Sequence, residues 1–513
     1  MLGWSDGAAA DDSDDFFGDS SSSGSSDDSD DFFGDSSSSK SFVQTGRLGG
    51  EIREKVAGDI EKNDDEEYLA SSLFMIKAEG TFQLAPALSA RLAGLFTHDY
   101  EWNEDRDRGE AEPQLWEAYA TYRVGKWDFN AGQKIWGWGK TDIISPTDLI
   151  NPVDFQRFFD AEMGISKLPA LSLGGTYYGD GYHAEGVYLP FHRPSRFDLV
   201  ERDFAILGHR FPVTELLGLI DDSGGYRNLK RFLDRWVPEW EEDLADILDD
   251  QEYFDNHTED KDDNFTTGGG AVRLGGSKGG YDFDIMGYYL YDQMPTIHFN
   301  PELLALDDAA DPAPGDYATI PDPRDISTTL FTEPLRGVYH RVYGPGAAFG
   351  TSLGSFTVRA EGTAIFNRRT YREDLTLVKK PVYTFALNAD YLFPGDVQVT
   401  ATFLHSSVGD YEGDLLTEPV YALMFVGYQA EFFRSRLKTR GVVTYDFSYI
   451  EADQWGKGDV SGQDGQFSTM VEWAFTDDLL GGVGTNLFWG ETDRLFGYLR
   501  DNSRVFLTGT YNF

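Results

Sequence analysis

The sequence predicts an all-β protein, a transmembrane antiparallel up-and-down β-barrel of about eighteen strands, and three observations carry that prediction. Segments of ten to fifteen residues alternate apolar and polar side chains from about residue 42 onward, the period-two signature of a strand with two unlike faces. The connections between those segments alternate strictly between tight turns and long acidic loops. The last segment, SRVFLTGTYNF, ends in Phe513, with Val505, Leu507, Gly509 and Tyr511 at alternate positions before it.

Composition narrows the solvent and the partners. The chain has 513 residues, 43 Lys and Arg against 88 Asp and Glu, and a net charge of −45. Phosphate-binding surfaces need clustered cations, so nucleic acid and the anionic headgroups of a cytoplasmic leaflet are excluded as partners. No cysteine is present, which removes disulfides, thiolate metal sites and cysteine nucleophiles. Aromatic residues at 15% and 56 glycines point to strands and turns. No apolar run of about eighteen residues occurs, so no transmembrane helix is expected. The segment Met1–Asp6 lacks a basic and an apolar signal region, so either the protein is cytosolic or the sequence is a mature or recombinant form whose export signal has been removed, and the strand pattern favours the second.

In chain order, the first element is an acidic, Ser-rich tail, 1–41, with DDSDDFFGDSSSS at 11–23 and again at 27–39. Such composition buries too little apolar surface to offset its ordering entropy. Each copy presents one aromatic pair, Phe16-Phe17 and Phe32-Phe33. Two identical motifs on one tether fit a bivalent ligand for a periplasmic partner, and the same composition fits a solubilising tail.

The barrel follows over 42–513. Strands are expected at 46–57, 70–84, 87–101, 112–124, 127–137, 168–178, 181–190, 266–276, 281–292, 336–352, 355–368, 381–393, 396–408, 418–433, 436–449, 466–476, 480–492 and 503–513. The count falls to sixteen if 336–352 or a strand beside a long loop is misread. In 356–366, Phe356, Val358, Ala360, Ala364 and Phe366 oppose Thr357, Arg359, Glu361 and Thr363. One face suits hydrocarbon and the other water. A soluble sandwich also alternates, but it has no reason to sort its connections into short and long ones, as a barrel with periplasmic turns and external loops does. Trp127, Phe129, Tyr391, Phe393, Phe447 and Tyr449 stand near strand ends, where interfacial aromatic girdles belong.

Function should then lie on the lumen-facing positions. The alternation sends Lys77, Glu79, Arg91, Glu117, Arg123, Asp282, Asp284, Arg359, Glu361, Asp390 and Asp446 inward. About eighteen strands enclose more space than side chains fill, so a channel follows unless loops close it. The connection 138–167 and the strand end before it carry Trp136, Trp138, Ile143, Ile144, Leu149, Ile150 and Phe155, too much apolar surface for a loop in water. It is expected to fold inward as a constriction, with Asp142, Asp148, Asn151 and Asp154 as its polar edge. Packing on neighbouring loops outside is the alternative.

The connection 191–265 holds two helical patterns, Leu229, Phe232, Leu233 and Trp236, then Trp240, Leu244, Ile247 and Leu248, with Pro238 between them. A helical hairpin covering the barrel mouth, a membrane-surface helix and a partner-binding helix all fit that amphipathicity. Acidic loops can bridge divalent cations to lipopolysaccharide phosphates. The eight histidines show no catalytic or metal-ligand spacing, and neither cofactor nor enzyme activity is expected.

Two resemblances add to this. The Phe513-terminated last strand, with Tyr511 before it, resembles the signal read by the barrel-assembly machinery of Gram-negative bacteria. Leu115–Tyr119 (LWEAY), Gly132-Gln133, Trp136-Gly137, Asp148 and Asn151-Pro152-Val153-Asp154 resemble a proteobacterial outer-membrane porin-like family of unknown function, distantly similar to alginate-export barrels. Gln133 and Lys134 stand where that family has Arg, and the repeat tail lies outside its pattern. The resemblance implies residence among outer-membrane lipid and lipopolysaccharide, passage of an amphiphilic or hydrophobic solute, and association with an inner-membrane exporter. The alternative function is a plugged barrel acting as a scaffold.

Overall fold

The structure, a computed structural model, describes residues 45–60, 70–102, 107–141, 144–157, 165–198, 258, 268–299, 335–372, 376–415, 417–448, 464–490 and 496–513. The tail with its two Phe pairs, Asp142, the helical patterns of 229–248 and Tyr449 lie outside the described residues.

The described residues form twenty strands: β1 (Thr45–Asp59), β2 (Ala70–Ala85), β3 (Leu88–Trp102), β4 (Asp107–Val124), β5 (Trp127–Lys134), β6 (Ala170–Tyr178), β7 (Tyr182–Leu189), β8 (Gly269–Lys278), β9 (Tyr281–Tyr291), β10 (Thr296–Phe299), β11 (Leu335–Val338), β12 (Arg341–Leu353), β13 (Phe356–Tyr371), β14 (Leu377–Phe393), β15 (Val397–Val408), β16 (Val420–Phe432), β17 (Leu437–Asp446), β18 (Asp464–Ala474), β19 (Leu479–Trp489) and β20 (Arg504–Asn512). Eighteen of them form one sheet of sequential antiparallel neighbours, with β9 pairing β12. β20 pairs β1, Ile52 opposite Tyr511 and Val56 opposite Leu507, so the wall closes and neither β1 nor β20 is left as an edge. Main-chain hydrogen bonds of 2.9 Å in both directions between Gly50 and Phe513 complete that seam.

Burial alternates along the wall as the sequence pattern requires. Ile285, Leu507 and Val272 face outward and are 63%, 63% and 61% exposed, whereas Met75, Ala386 and Asn388 face inward at 0%. An apolar surface of that extent on the outside of a closed wall is solvated by hydrocarbon, which makes the fold a transmembrane barrel. At the tight-turn end the outward side chains become aromatic: Trp127 stacks on Phe129 with centroids 5.6 Å apart, Tyr391 meets Phe356 and Phe393 at 4.4 Å each, and Tyr511 meets Phe513 at 6.4 Å.

Three features depart from the simple pattern. The expected strand 336–352 divides: Arg341–Leu353 joins the wall, while Leu335–Val338 pairs with Thr296–Phe299 in a separate two-stranded ribbon. The connections expected at 102–111 and 369–380 shrink to 103–106 and 372–376, because β3, β4, β13 and β14 extend at that end of the wall. The β3–β4 register shifts at Ala93/Gly94, where Ala93 opposes Glu117 and Gly94 opposes Leu115. Trp116 is the extra residue of that bulge, so Trp116 and Glu117 are both buried in succession.

Candidate functional site

The candidate site is the connection between β5 and β6, which starts at one wall and reaches the opposite one. Its base is fixed first. The Ile135 N–H donates to Glu117 Oε1 at 3.1 Å, so the β4 bulge supplies the first anchor. The Gln133 amide donates to the carbonyls of Leu115 and Trp116 at 2.7 and 3.0 Å, satisfying acceptors that the bulge leaves out of the ladder. Beside it Gly132 has φ 132°, and a Cβ there would lie 2.2 Å from the Ala118 carbonyl. Only glycine fits that position.

Asn151 ties the two arms of the loop together. Its Oδ1 accepts the Trp136 N–H at 2.6 Å, and its Nδ2 donates to the carbonyls of Leu168 and Lys134 at 2.9 and 3.3 Å. Trp136, whose indole N–H donates to Ser172 at 2.9 Å, is buried with Trp138 and Ile150 against inward residues of β7, β8, β9, β12 and β13, among them Val187, Met286 and Tyr288. Trp136, Trp138 and Ile150 thus pack on the inner wall, whereas Phe155 is 37% exposed. Tyr288 adds a hydrogen bond from its hydroxyl to the Thr147 carbonyl at 2.7 Å.

The far side of the loop is held by one carboxylate. Glu361 of β13, 1% exposed, accepts from the main-chain N–H groups of Lys140, Thr141 and Thr147 and from the hydroxyls of Ser145 and Thr147. Lys140 reaches Asp284 of β9 at 2.8 Å, and His183 approaches the other oxygen of that carboxylate at 3.2 Å. Ile144 packs against the buried pair Phe425 and Val442 on β16 and β17. In the closed circuit β16 stands nine wall strands from β5, half of eighteen. The loop therefore spans the bore.

Its return arm lies on the first wall strands. Ile165 and Leu168 join Leu73, Met75, Leu95 and Trp116 in one buried cluster. Asp148 forms an ion pair with Lys167 across the loop. Asp154 lies 3.7 Å from Arg196 and 3.8 Å from Arg157, and Arg196 grips Glu112 of β4 with two hydrogen bonds of 2.6 and 2.5 Å. Burial pushes the Asp154 carboxyl up to about 6, outweighing the two guanidinium groups. Asp148, Asn151 and Asp154, expected as a polar edge of a constriction, are internal fastenings of the loop.

The inward charges expected from alternation form separate groups. Arg91 bridges Glu79 at 3.0 Å and Glu117 at 3.1 Å, with Lys77 3.8 Å from Glu79. Arg359 contacts Asp390 at 2.5 Å and Asn388 at 3.1 Å. Arg123 pairs with Asp128 at 3.1 Å at the turn end, Asp282 accepts from Ser277, and Asp446 accepts the Ser448 N–H at 2.7 Å. Lys140, Lys167, Arg196 and the Arg273–Glu185 pair at 2.8 Å escaped the sequence reading. A lysine next to the Trp-Gly-Trp-Gly stretch was the one available signal. Among the described residues no cluster of three or more His, Asp or Glu is placed to hold a metal ion.

These features define a closed transmembrane β-barrel with a loop fastened across its interior. No family model matches the sequence, and no curated protein matches it. Solved structures similar in overall form include OccAB1 of Acinetobacter baumannii, with TM-score 0.46, 8% identity, and coverage of 92% of this chain and 98% of that one. OccK2 (OpdF) of Pseudomonas aeruginosa, solved in complex with glucuronate, gives TM-score 0.44, 8% identity and the same coverages. A mutant porin of Rh. blastica gives TM-score 0.35 and 9% identity, over 91% of this chain and all of that one.

Proposed function

We propose that the protein is an outer-membrane channel for a small amphiphilic solute with an anionic head, and that the 138–167 connection is its constriction. The observation that carries the reading is the loop that leaves β5 and rests on β16, since any solute crossing the barrel must pass beside it. The pairs around the loop supply the sign of the solute. In Lys140–Asp284 the side chains are 24% and 2% exposed, and in Arg273–Glu185 17% and 7%. The cation is the more accessible member each time, so the field at the loop favours anions although the whole chain is acidic. Tight turns and both barrel termini share one end of the wall, which we assign to the periplasm. The repeat tail attached there would carry Phe16-Phe17 and Phe32-Phe33 to a periplasmic partner. Amphiphilic character of the solute rests on the motif resemblance of 112–156. Reversal potentials across a planar bilayer under a salt gradient test the sign: anion preference is expected, and cation preference would overturn it.

A second reading, a closed barrel serving as a scaffold, is favoured by one observation. The inward residues Asn388, Thr402 and Thr444 are 0% exposed, so the interior is filled at their height. Conductance separates the two readings.

A further inference from the structure

The outward face of the wall is apolar over most of its height, and on β1 an acidic residue interrupts it. Val56 of β1 is 41% exposed and outward, Lys55 is 2% exposed and inward over the Phe506 ring, so Glu54 points outward. It accepts a hydrogen bond of 2.5 Å from Ser72, which shares the outward face of β2. Along β1 its outward neighbours are Ile52 and Val56, and across the β20 seam it stands opposite Gly509, beside Leu507. Among the described residues it is the one acidic side chain on the outward face of this belt. An ionisable group at such a position is expensive to keep in hydrocarbon and points to a partner.

The registers of three strands say which partner. Glu54 stands opposite Phe74 of β2, and Phe74 stands opposite His98 of β3, so acid, aromatic ring and imidazole form one row across three strands. A two-fold axis along the membrane normal keeps two barrels in the same orientation and exchanges left for right across their contact. Placed over Phe74, it brings the acid of each copy to the side of the contact that holds the imidazole of the other, the two offset in height by the strand tilt.

We propose that a second copy of this chain docks on the outward face of β1–β3, with Phe74 at the two-fold axis and Glu54 of each copy facing the partner's His98. The contact does not depend on whether solute crosses the barrel.

The absence of native cysteine makes the test direct. Ile76→Cys, outward and next to Phe74, should give a disulfide-linked dimer on mild oxidation in outer-membrane vesicles, and Phe385→Cys on another sector of the wall should give only background. Glu54→Ala in the Ile76→Cys chain should reduce the product to that background. The exchanged pair Glu54→His with His98→Glu should restore it, which separates pairing from loss of fold, and heat-modifiability on gels confirms folding of each variant. A product no greater for Ile76→Cys than for Phe385→Cys, or a product whose mass is that of this chain plus a different protein or a lipid adduct, would overturn the proposal.

Discussion

The Glu361 carboxylate on β13 accepts the Thr147 hydroxyl at 2.5 Å, and that contact joins a wall strand to a loop rooted six wall strands away in the closed circuit. Four more donors from the same loop converge on the same carboxylate. Glu361→Ala leaves them without an acceptor, at about 1–3 kcal/mol for each buried group that water cannot reach. The loop should detach before the barrel unfolds. Limited proteolysis near 141–147 should accelerate in Glu361→Ala while the gel shift of the folded barrel persists; unchanged cleavage would show that Glu361 does not hold the loop.

Asn151 is 1% exposed and serves as acceptor and double donor. Asn151→Asp keeps the acceptor for Trp136 but loses both donated bonds and buries a charge, so it should destabilise the loop more than Asn151→Ala does. Trp136 fluorescence, red-shifted as the indole leaves its pocket, reports the order. The reverse order would contradict the role given to the amide.

The Asp154 carboxyl titrates at about 6 in the folded protein against an ordinary value of 3.8. A raised carboxyl value means that the folded protein binds the proton more tightly. Stability from this group is therefore greatest at low pH, is lost as pH rises from 3.8 to about 6, and is level above that. Asp154→Asn should flatten the midpoint of thermal unfolding across that window. An undiminished slope in the variant would assign it to another group.

Gly132 has a backbone that L side chains rarely adopt and no room for a Cβ. Gly132→Ala should cost about 1–3 kcal/mol, read as a lower urea midpoint for the barrel refolded in detergent. A midpoint within error of the parent would mean that the β4–β5 contact relaxes freely.

Outward Ile285 tests the solvent of the wall. Ile285→Arg places a charge in the apolar belt and should cost about 2–4 kcal/mol in a bilayer, with Ile285→Leu near neutral. Equal stability of the two variants would place that face in water.

Much of this fold was legible in the chain because strand alternation is local. The side-chain period of two fixes the face of Leu387 or Thr400 from a few neighbours, and eight tight turns stand where short polar punctuation interrupts the pattern. The bulge at Trp116 was not legible, since one inserted residue inverts the parity without changing the composition. Glu361 illustrates the other limit. Alternation turned it inward, but its partners are more than two hundred residues earlier, and nothing in a period names a distant partner. The apolar loop residues point to inward folding, and Trp136 and Trp138 are buried against the inner wall, because apolar surface in a polar interior is covered first. Glu54 departs from the alternation of β1, and the row it forms with Phe74 and His98 appears only once three registers are known.

If the loop from β5 sets the passage through the barrel, as proposed, its removal must widen that passage. Single-channel conductance in a planar bilayer, compared between the parent and a variant in which 140–148 is replaced by a short Gly-Ser link, tests it most directly. The parent should show a small conductance and the variant a larger, less anion-selective one. No conductance in either would contradict it and leave a closed barrel.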